Sequence, residues 1–133
     1  MILRSIIEVV GFPKDHVEET TKKIIDNIEK EEKDIRLINA QIADAKESKG
    51  MFSTFAEIEV DVKDFEALIH FCFFYMPASV EIIEPDKFNI PQTELTNLLN
   101  DLLAKLHQND IIVQKLLIEN RVLKSKSKSS SQK

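Results

Sequence analysis

Three histidines and one cysteine are the side chains best suited to bind a metal or to act as a nucleophile. His16, His70 and His107 lie in separate segments, and none has a histidine or cysteine partner at the spacing of a metal ligand. His70 and Cys72 are two residues apart, which on a helix directs them to different sides and makes a poor pair of nucleophile and base. We therefore predict no metal site, no cofactor and no catalytic residue.

Acidic residues recur on one side of a predicted strand. Glu57, Glu59 and Asp61 alternate with apolar residues between Phe52 and Val62, a period of two that predicts one acidic and one apolar face. Grouped carboxylates can bind a cation or transfer protons. Alternating acids are more typical of the solvated face of a sheet. We expect this acidic face to be presented to a partner protein rather than to catalyse a reaction.

The charged residues are distributed unevenly along the chain. The formal net charge is −5, yet residues 121–133 contain basic residues and no acid, so the remainder of the chain is strongly acidic. An acidic surface repels phosphate, so we expect nucleic acid to bind only weakly, through the basic tail. Residues 125–133 contain no apolar side chain and are predicted to be a disordered tail.

Strands and helices must alternate to position these side chains. Runs rich in Ile and Val between turn-forming residues indicate strands, and apolar residues at helical spacing indicate helices that begin after the candidate N-caps Asp15 and Asp64. The order β-α-β-β-α-β predicts an α+β, ferredoxin-like domain over residues 1–90, with a four-stranded antiparallel sheet and two helices on one face. The predicted strands cover residues 2–10, 35–44, 52–62 and 80–84.

A long helix is predicted within residues 91–124. Apolar residues recur there at alternating steps of four and three, which is the heptad pattern of a coiled coil. We therefore predict that this segment is an oligomer interface, with a homodimer favoured. The predicted interface residues are Leu95, Leu99, Leu102, Leu106, Val113, Leu116, Asn120 and Leu123.

The heptad register can be tested by its charges. In a parallel pair of helices the g and e′ positions would bring Lys105 opposite Asp110 and Glu119 opposite Lys124, and both pairs have opposite signs. The segment 113–123 is similar to a leucine zipper, in which an asparagine at an a position, here Asn120, fixes register and the number of strands.

The sequence leaves two alternatives open for this helix. Residues 107–110 could form a break, with Asn109 or Asp110 capping a final helix that folds back as a helical hairpin. A trimer, a four-helix arrangement or docking on the domain is also open, because the apolar face is wider than a two-stranded seam. The residues that widen it are Leu98, Leu103, Ile111, Ile112, Leu117 and Ile118.

Four stretches between residues 52 and 107 carry a resemblance to a known family. They are 55–60, 64–69, 77–85 and 98–106, and in order they resemble the C-terminal extension domain of WYL transcriptional regulators. That family has the ferredoxin-like plan, and the resemblance implies a ligand-sensing or oligomer-contact role. Met76 stands where the family has a glycine, and the gap that follows is one residue longer.

Together these features favour a non-enzymatic protein-interaction and oligomerisation module that self-associates through its C-terminal helix. The alternative is a small-molecule-sensing regulatory domain of ferredoxin-like type, linked to transcriptional control. A single cysteine excludes an internal disulfide, which predicts a cytoplasmic protein. The chain also lacks a run of ~20 apolar residues, so we expect no membrane association.

Overall fold

The computed structural model describes the backbone of residues 1–131 and the side chains of residues 1–127. The chain divides into two compact units, Met1–Asn89 and a second that begins at Ile90. The elements in chain order are β1 (Ile2–Gly11), α1 (Lys14–Lys30), β2 (Ile35–Ile42), β3 (Lys46–Ser48), β4 (Met51–Val62), α2 (Phe65–Tyr75), β5 (Ser79–Glu84) and α3 (Gln92–Ser131).

The first unit is built on an antiparallel sheet in the order β2-β4-β1-β5, to which β3 adds by pairing with β4. The α+β class and the antiparallel sheet are as predicted, but the sheet has five strands and not four. The second predicted strand ends at Ile42, and the chain pairs again with β4 over Lys46–Ser48. Just past Ile42, the buried hydroxyl of Thr54 donates a hydrogen bond to the carbonyl oxygen of Ala43.

The hydrophobic core lies on the face of the sheet that α1 and α2 cover. The period-two pattern of β4 buries its even-numbered residues from Thr54 to Val62, and α1 contributes the apolar stripe of an amphipathic helix. The helix α2 is apolar on most of its surface and buries Ala67 and Phe71. Full burial of a valine, leucine, isoleucine or phenylalanine side chain stabilises a fold by about 1.5–3 kcal/mol. The core cluster comprises Leu3, Ile7, Ile25, Ile28, Ile35, Ala56, Ile58, Val60, Val62, Ala67 and Phe71.

The two helices of this unit start differently. Asp64 is the N-cap of α2, as predicted, and its carboxylate accepts a hydrogen bond of 2.9 Å from the backbone N–H of Ala67. Asp15 does not cap α1, because the helix already begins at Lys14 with Pro13 at the N-cap position. Asp15 lies in the first turn, where a negative charge still favours the positive end of the helix dipole.

The second unit contains α3, one unbroken helix of 40 residues. The alternative of a break at residues 107–110 is therefore wrong. The helix also continues past residue 124 to Ser131, so the predicted disordered tail is helical that far, and residues 132 and 133 lie outside the described residues. No glycine or proline stands between residues 92 and 131 to end the helix. Within residues 1–131, no helix is both long and apolar enough to cross a membrane.

Candidate functional site

The predicted interface residues all lie on α3, and most of their side chains are exposed. The exposed fraction is 43% at Leu95, near the start of the helix, and 66% at Leu123. Leu102 is half-buried, and Asn120 is exposed. An unbroken helix keeps residues at alternating steps of four and three on one side. This row of side chains, at residues 95, 99, 102, 106, 109, 113, 116, 120 and 123, is called the leucine ladder below.

Apolar residues on α3 are not restricted to the leucine ladder. Ile111 and Ile118 occupy the outer f position of the heptad, and their side chains are 56% and 58% exposed. Val122 is also exposed. The helix therefore presents apolar surface on more than one side around residues 111–122, which is compatible with a bundle of more than two helices.

The acidic face of β4 is organised around an arginine from the neighbouring strand. The guanidinium of Arg4, on β1, lies 3.2 Å from a carboxylate oxygen of Glu59 and 3.5 Å from one of Glu57. Glu81 approaches it from β5 at 3.6 Å. The register that pairs β1 with both β4 and β5 places these side chains on the same face. The predicted acidic face is therefore a network of charges in which Arg4 compensates part of the negative charge.

Asp61 lies at the end of this face and forms ion pairs with two cationic groups other than Arg4. The N-terminal amine of Met1 lies 3.1 Å from one carboxylate oxygen, and the guanidinium of Arg36 lies 3.3 Å from the other. The hydrogen bond from the amine, opposed by burial and reinforced by Arg36, lowers the pKa of the Asp61 carboxyl. Within residues 1–131, no group of three or more histidine, cysteine or acidic side chains is placed to hold a metal ion.

A hollow of about 340 Å³ opens beside this network. Its apolar lining includes Ile6 of β1 and Phe55 of β4, and Phe55 is 45% exposed. Gln41 and Glu57 supply polar groups to the lining. Apolar walls with a few polar groups are the usual lining of a small-molecule site.

A second polar cluster, which the sequence analysis did not predict, joins the segment after α1 to α2. One carboxylate oxygen of Glu32 accepts a hydrogen bond of 2.7 Å from the hydroxyl of Tyr75 and lies 3.1 Å from Nε2 of His70. Asn27 donates a hydrogen bond of 2.8 Å to the Tyr75 hydroxyl oxygen. The imidazole of His70 is stacked on Phe74, with ring centres 5.2 Å apart. These contacts constitute the Glu32 cluster.

The electrostatics of the Glu32 cluster favour a charged carboxylate beside a neutral phenol. Burial alone would raise the pKa of Glu32, but the hydrogen bonds with Tyr75 and His70 outweigh it and the pKa is lowered. Burial and the hydrogen bond to Glu32 raise the pKa of Tyr75. The cluster therefore holds a carboxylate in place as an acceptor and ties two segments of the first unit together.

The remaining candidates for chemistry are dispersed. His16 is exposed on α1 and His107 is exposed on α3. Cys72 is half-buried on α2, and burial raises the pKa of its thiol. A thiol with a raised pKa is a weak nucleophile, because the thiolate is the reactive form.

Comparison with known proteins gives one finding. No curated protein and no solved structure matches the chain. One family model, that of the MJ0538 family, matches residues 3–126. The match extends from β1 through most of α3 and so includes the sheet, the Glu32 cluster and the leucine ladder. The chain belongs to the MJ0538 family.

Proposed function

We propose that this protein is a non-enzymatic interaction module that self-associates through α3. The observation that carries the proposal is the leucine ladder, a row of mostly apolar and mostly exposed side chains along one side of an unbroken helix. Monomeric soluble proteins seldom expose contiguous apolar surface beyond a few hundred Å². Burial of the ladder against a second copy removes this surface from water, at about 25 cal/mol per Å².

The heptad spacing supports a helical partner in particular. A flat or irregular surface does not require apolar residues at alternating steps of four and three, whereas knobs-into-holes packing between helices does. Residues 92–123 of α3 span about 48 Å at 1.5 Å per residue, which gives room for several successive layers of contact. A homodimer is the smallest assembly that buries the ladder.

We further propose that the first unit is ferredoxin-like and presents its acidic face to a partner protein. If β2 and β3 count as one interrupted edge strand, the sheet order becomes β5-β1-β4-β2/β3, with α1 and α2 against one face. That arrangement supports the ferredoxin-like plan. Its other face carries Arg4 among Glu57, Glu59 and Glu81, all within reach of solvent. We expect this face to select a partner with complementary charges.

Light scattering on the full chain tests self-association. For a chain of 15.3 kDa, self-association predicts a solution mass of at least twice this value. Val113→Glu places a charge at an a position and should shift the protein to the monomer. Gln114→Glu, one residue further and off the ladder, is the matched control and should leave the mass unchanged. A wild-type protein that is monomeric at tens of micromolar would refute the proposal.

A small-molecule-sensing regulatory domain is the second candidate function. The hollow between Ile6, Gln41 and Phe55 favours it, as does the resemblance of residues 52–107 to the WYL extension domain. A ligand that binds only the folded state raises the midpoint of thermal unfolding. Thermal shifts should therefore be measured with amino acids, nucleotides and divalent ions, separately. A rise with one compound and its loss in Phe55→Glu would favour sensing, and unchanged midpoints throughout would count against it.

A further inference from the structure

We infer that two copies of α3 pair in parallel and in register, so that each ladder residue meets its own counterpart. This inference rests on the proposed self-association and adds the orientation of the helices. The occupant of the ladder is a second copy of this chain, and complementary charges on either side of the ladder are what select it. The choice is between this arrangement and the antiparallel registers that the same ladder allows.

One antiparallel register is a serious competitor. It places Asn109 opposite Asn120 of the second copy, so that the two amides can bond to each other. The same register places Val113 opposite Leu116 and Leu106 opposite Leu123. The parallel register also satisfies the amides, because Asn109 then meets Asn109 and Asn120 meets Asn120. Polar pairing within the ladder therefore does not distinguish the two arrangements.

The residues that flank the ladder do distinguish them. In the parallel register the g and e′ positions place Lys105 beside Asp110 and Glu119 beside Lys124, and each pair occurs twice in a dimer. In the antiparallel register g faces g′ and e faces e′, so Lys105 lies beside Lys126 and Glu119 beside an isoleucine. Opposite charges are thus matched in the parallel pair, while the antiparallel pair opposes like charges.

The start of the ladder gives the same result. In the parallel pair Leu95, Leu99 and Leu102 each meet an identical leucine. In the antiparallel register Leu102 lies opposite Ser127, and the two earlier leucines have only the polar tail beyond Ser127 to face. The parallel pair therefore buries three more apolar layers than its competitor does.

A second antiparallel register gives Leu99 an apolar partner but does not recover the layers of Leu95 and Leu102. Sliding the helices by one heptad brings Leu99 opposite Leu123 and Leu106 opposite Leu116. It also brings Asn120 opposite Leu102 and Asn109 opposite Val113, which leaves both amides buried without partners. An unpaired buried amide destabilises an interface. The charges are mixed in this register, because Lys105 would lie beside Glu119 while Asp110 would face its own counterpart. Parallel pairing is the arrangement that satisfies apolar, polar and charged positions together.

Parallel pairing has a consequence for function. Because the first unit precedes α3 in each chain, the two copies of that unit both precede the same end of the helix pair. The pair carries two acidic faces, and a partner that engaged both would gain apparent affinity without any new contact. In an antiparallel pair the two copies of the first unit would precede opposite ends of the helix pair.

Cysteine cross-linking of the full chain tests the orientation. Leu106→Cys and Leu123→Cys are made separately in a Cys72→Ala background, one of them with an added mass tag. In a parallel pair the new thiols of two copies of the same variant lie opposite each other, at a distance that a disulfide can span. Each variant should therefore oxidise to a homodimer. Ser125→Cys, at the outer f position, is the matched control and should remain uncrosslinked.

The possible results separate this inference from the proposed function. Homodimers of both variants, with little disulfide between the two in a mixture, support parallel pairing. Disulfides that form only between the tagged Leu106→Cys and the untagged Leu123→Cys chains would overturn it, as would a dimeric mass with no cross-link at either position. A monomeric mass of the wild-type chain by light scattering would instead refute self-association itself.

Discussion

At the scale of single residues, Glu32 is a mostly buried charged side chain that two partners hold in place. Its side chain is only 16% exposed, and it accepts from Tyr75 while contacting His70. A mostly buried carboxylate is tolerated when donors compensate the lost hydration. The Glu32 cluster therefore acts as a clamp between α2 and the segment that connects α1 to β2.

Replacing Glu32 should loosen this clamp. Glu32→Gln keeps the size of the side chain but removes its charge, so the charge-assisted bonds to Tyr75 and His70 are weakened. We expect a loss of about 1–3 kcal/mol in the free energy of unfolding, measured by urea denaturation. Glu31→Gln, at the exposed neighbouring position, is the control and should change it by less than about 0.5 kcal/mol. Equal losses in both variants would contradict a stabilising role for the bonds of Glu32 to Tyr75 and His70.

The same residue should make stability depend on pH. The pKa of Glu32 in the folded protein is lowered from its ordinary value of 4.5, so the folded state binds the proton less readily than the unfolded state. The stabilisation is therefore fully present above pH 4.5 and is lost as the pH falls through the lower folded value. The difference in unfolding free energy between wild type and Glu32→Gln should shrink over that range. A difference that is constant down to pH 3 would contradict this account.

At the scale of the elements, the heptad register makes Asn120 a specificity residue of α3. An asparagine at a buried a position costs stability and restricts the register and the number of strands. Asn120→Val should therefore tighten association and broaden the stoichiometry, which sedimentation velocity measures as larger species. Asn100→Val makes the same change at an exposed b position and should leave both unchanged. Dissociation of Asn120→Val to monomers would contradict a buried Asn120.

The charged flanks of α3 allow an independent check by charge reversal. Glu119→Lys and Lys124→Glu should each weaken the dimer, because each creates two like-charge pairs. Their combination restores opposite signs and should recover most of the affinity, with effects of about 0.2–1 kcal/mol per pair. Sedimentation equilibrium at low salt measures these changes, and high salt should diminish them. A double variant whose loss of dimer affinity equals the sum of the losses in the two single variants would contradict the pairing.

The elements were largely predictable from local patterns, and the errors occur where local signals compete with pairing. The alternation in β4 and the Asp64 cap suffice to predict β4 and α2, because both signals act within a few residues. The short strand β3 was missed, since it depends on pairing with Met51–Ser53 rather than on its own polar sequence. The end of α3 was placed too early because a Lys-Ser repeat is a signal for disorder, while it contains no residue that breaks a helix.

At the scale of the whole molecule, the sites differ in how far sequence could predict them. The leucine ladder is visible in sequence because one helix carries all of it. Arg4 could be placed among the acids only once the register of β1 with β4 and β5 was known. His70 and Glu32 are 38 residues apart, and no spacing rule relates a helix residue to a loop residue at that distance. Long-range polar contacts of this kind depend on the packing of the complete first unit.

The division of the chain into two units predicts that folding and association can be separated. Every residue of the core cluster precedes residue 72, so a chain of residues 1–89 retains all members of that cluster. It should unfold cooperatively in circular dichroism and have the mass of a monomer by light scattering. The full chain should associate, and its unfolding midpoint should rise with protein concentration if association stabilises the folded state. A shortened chain that still dimerises would show that the first unit contains an interface of its own, and that the leucine ladder is not what holds the copies together.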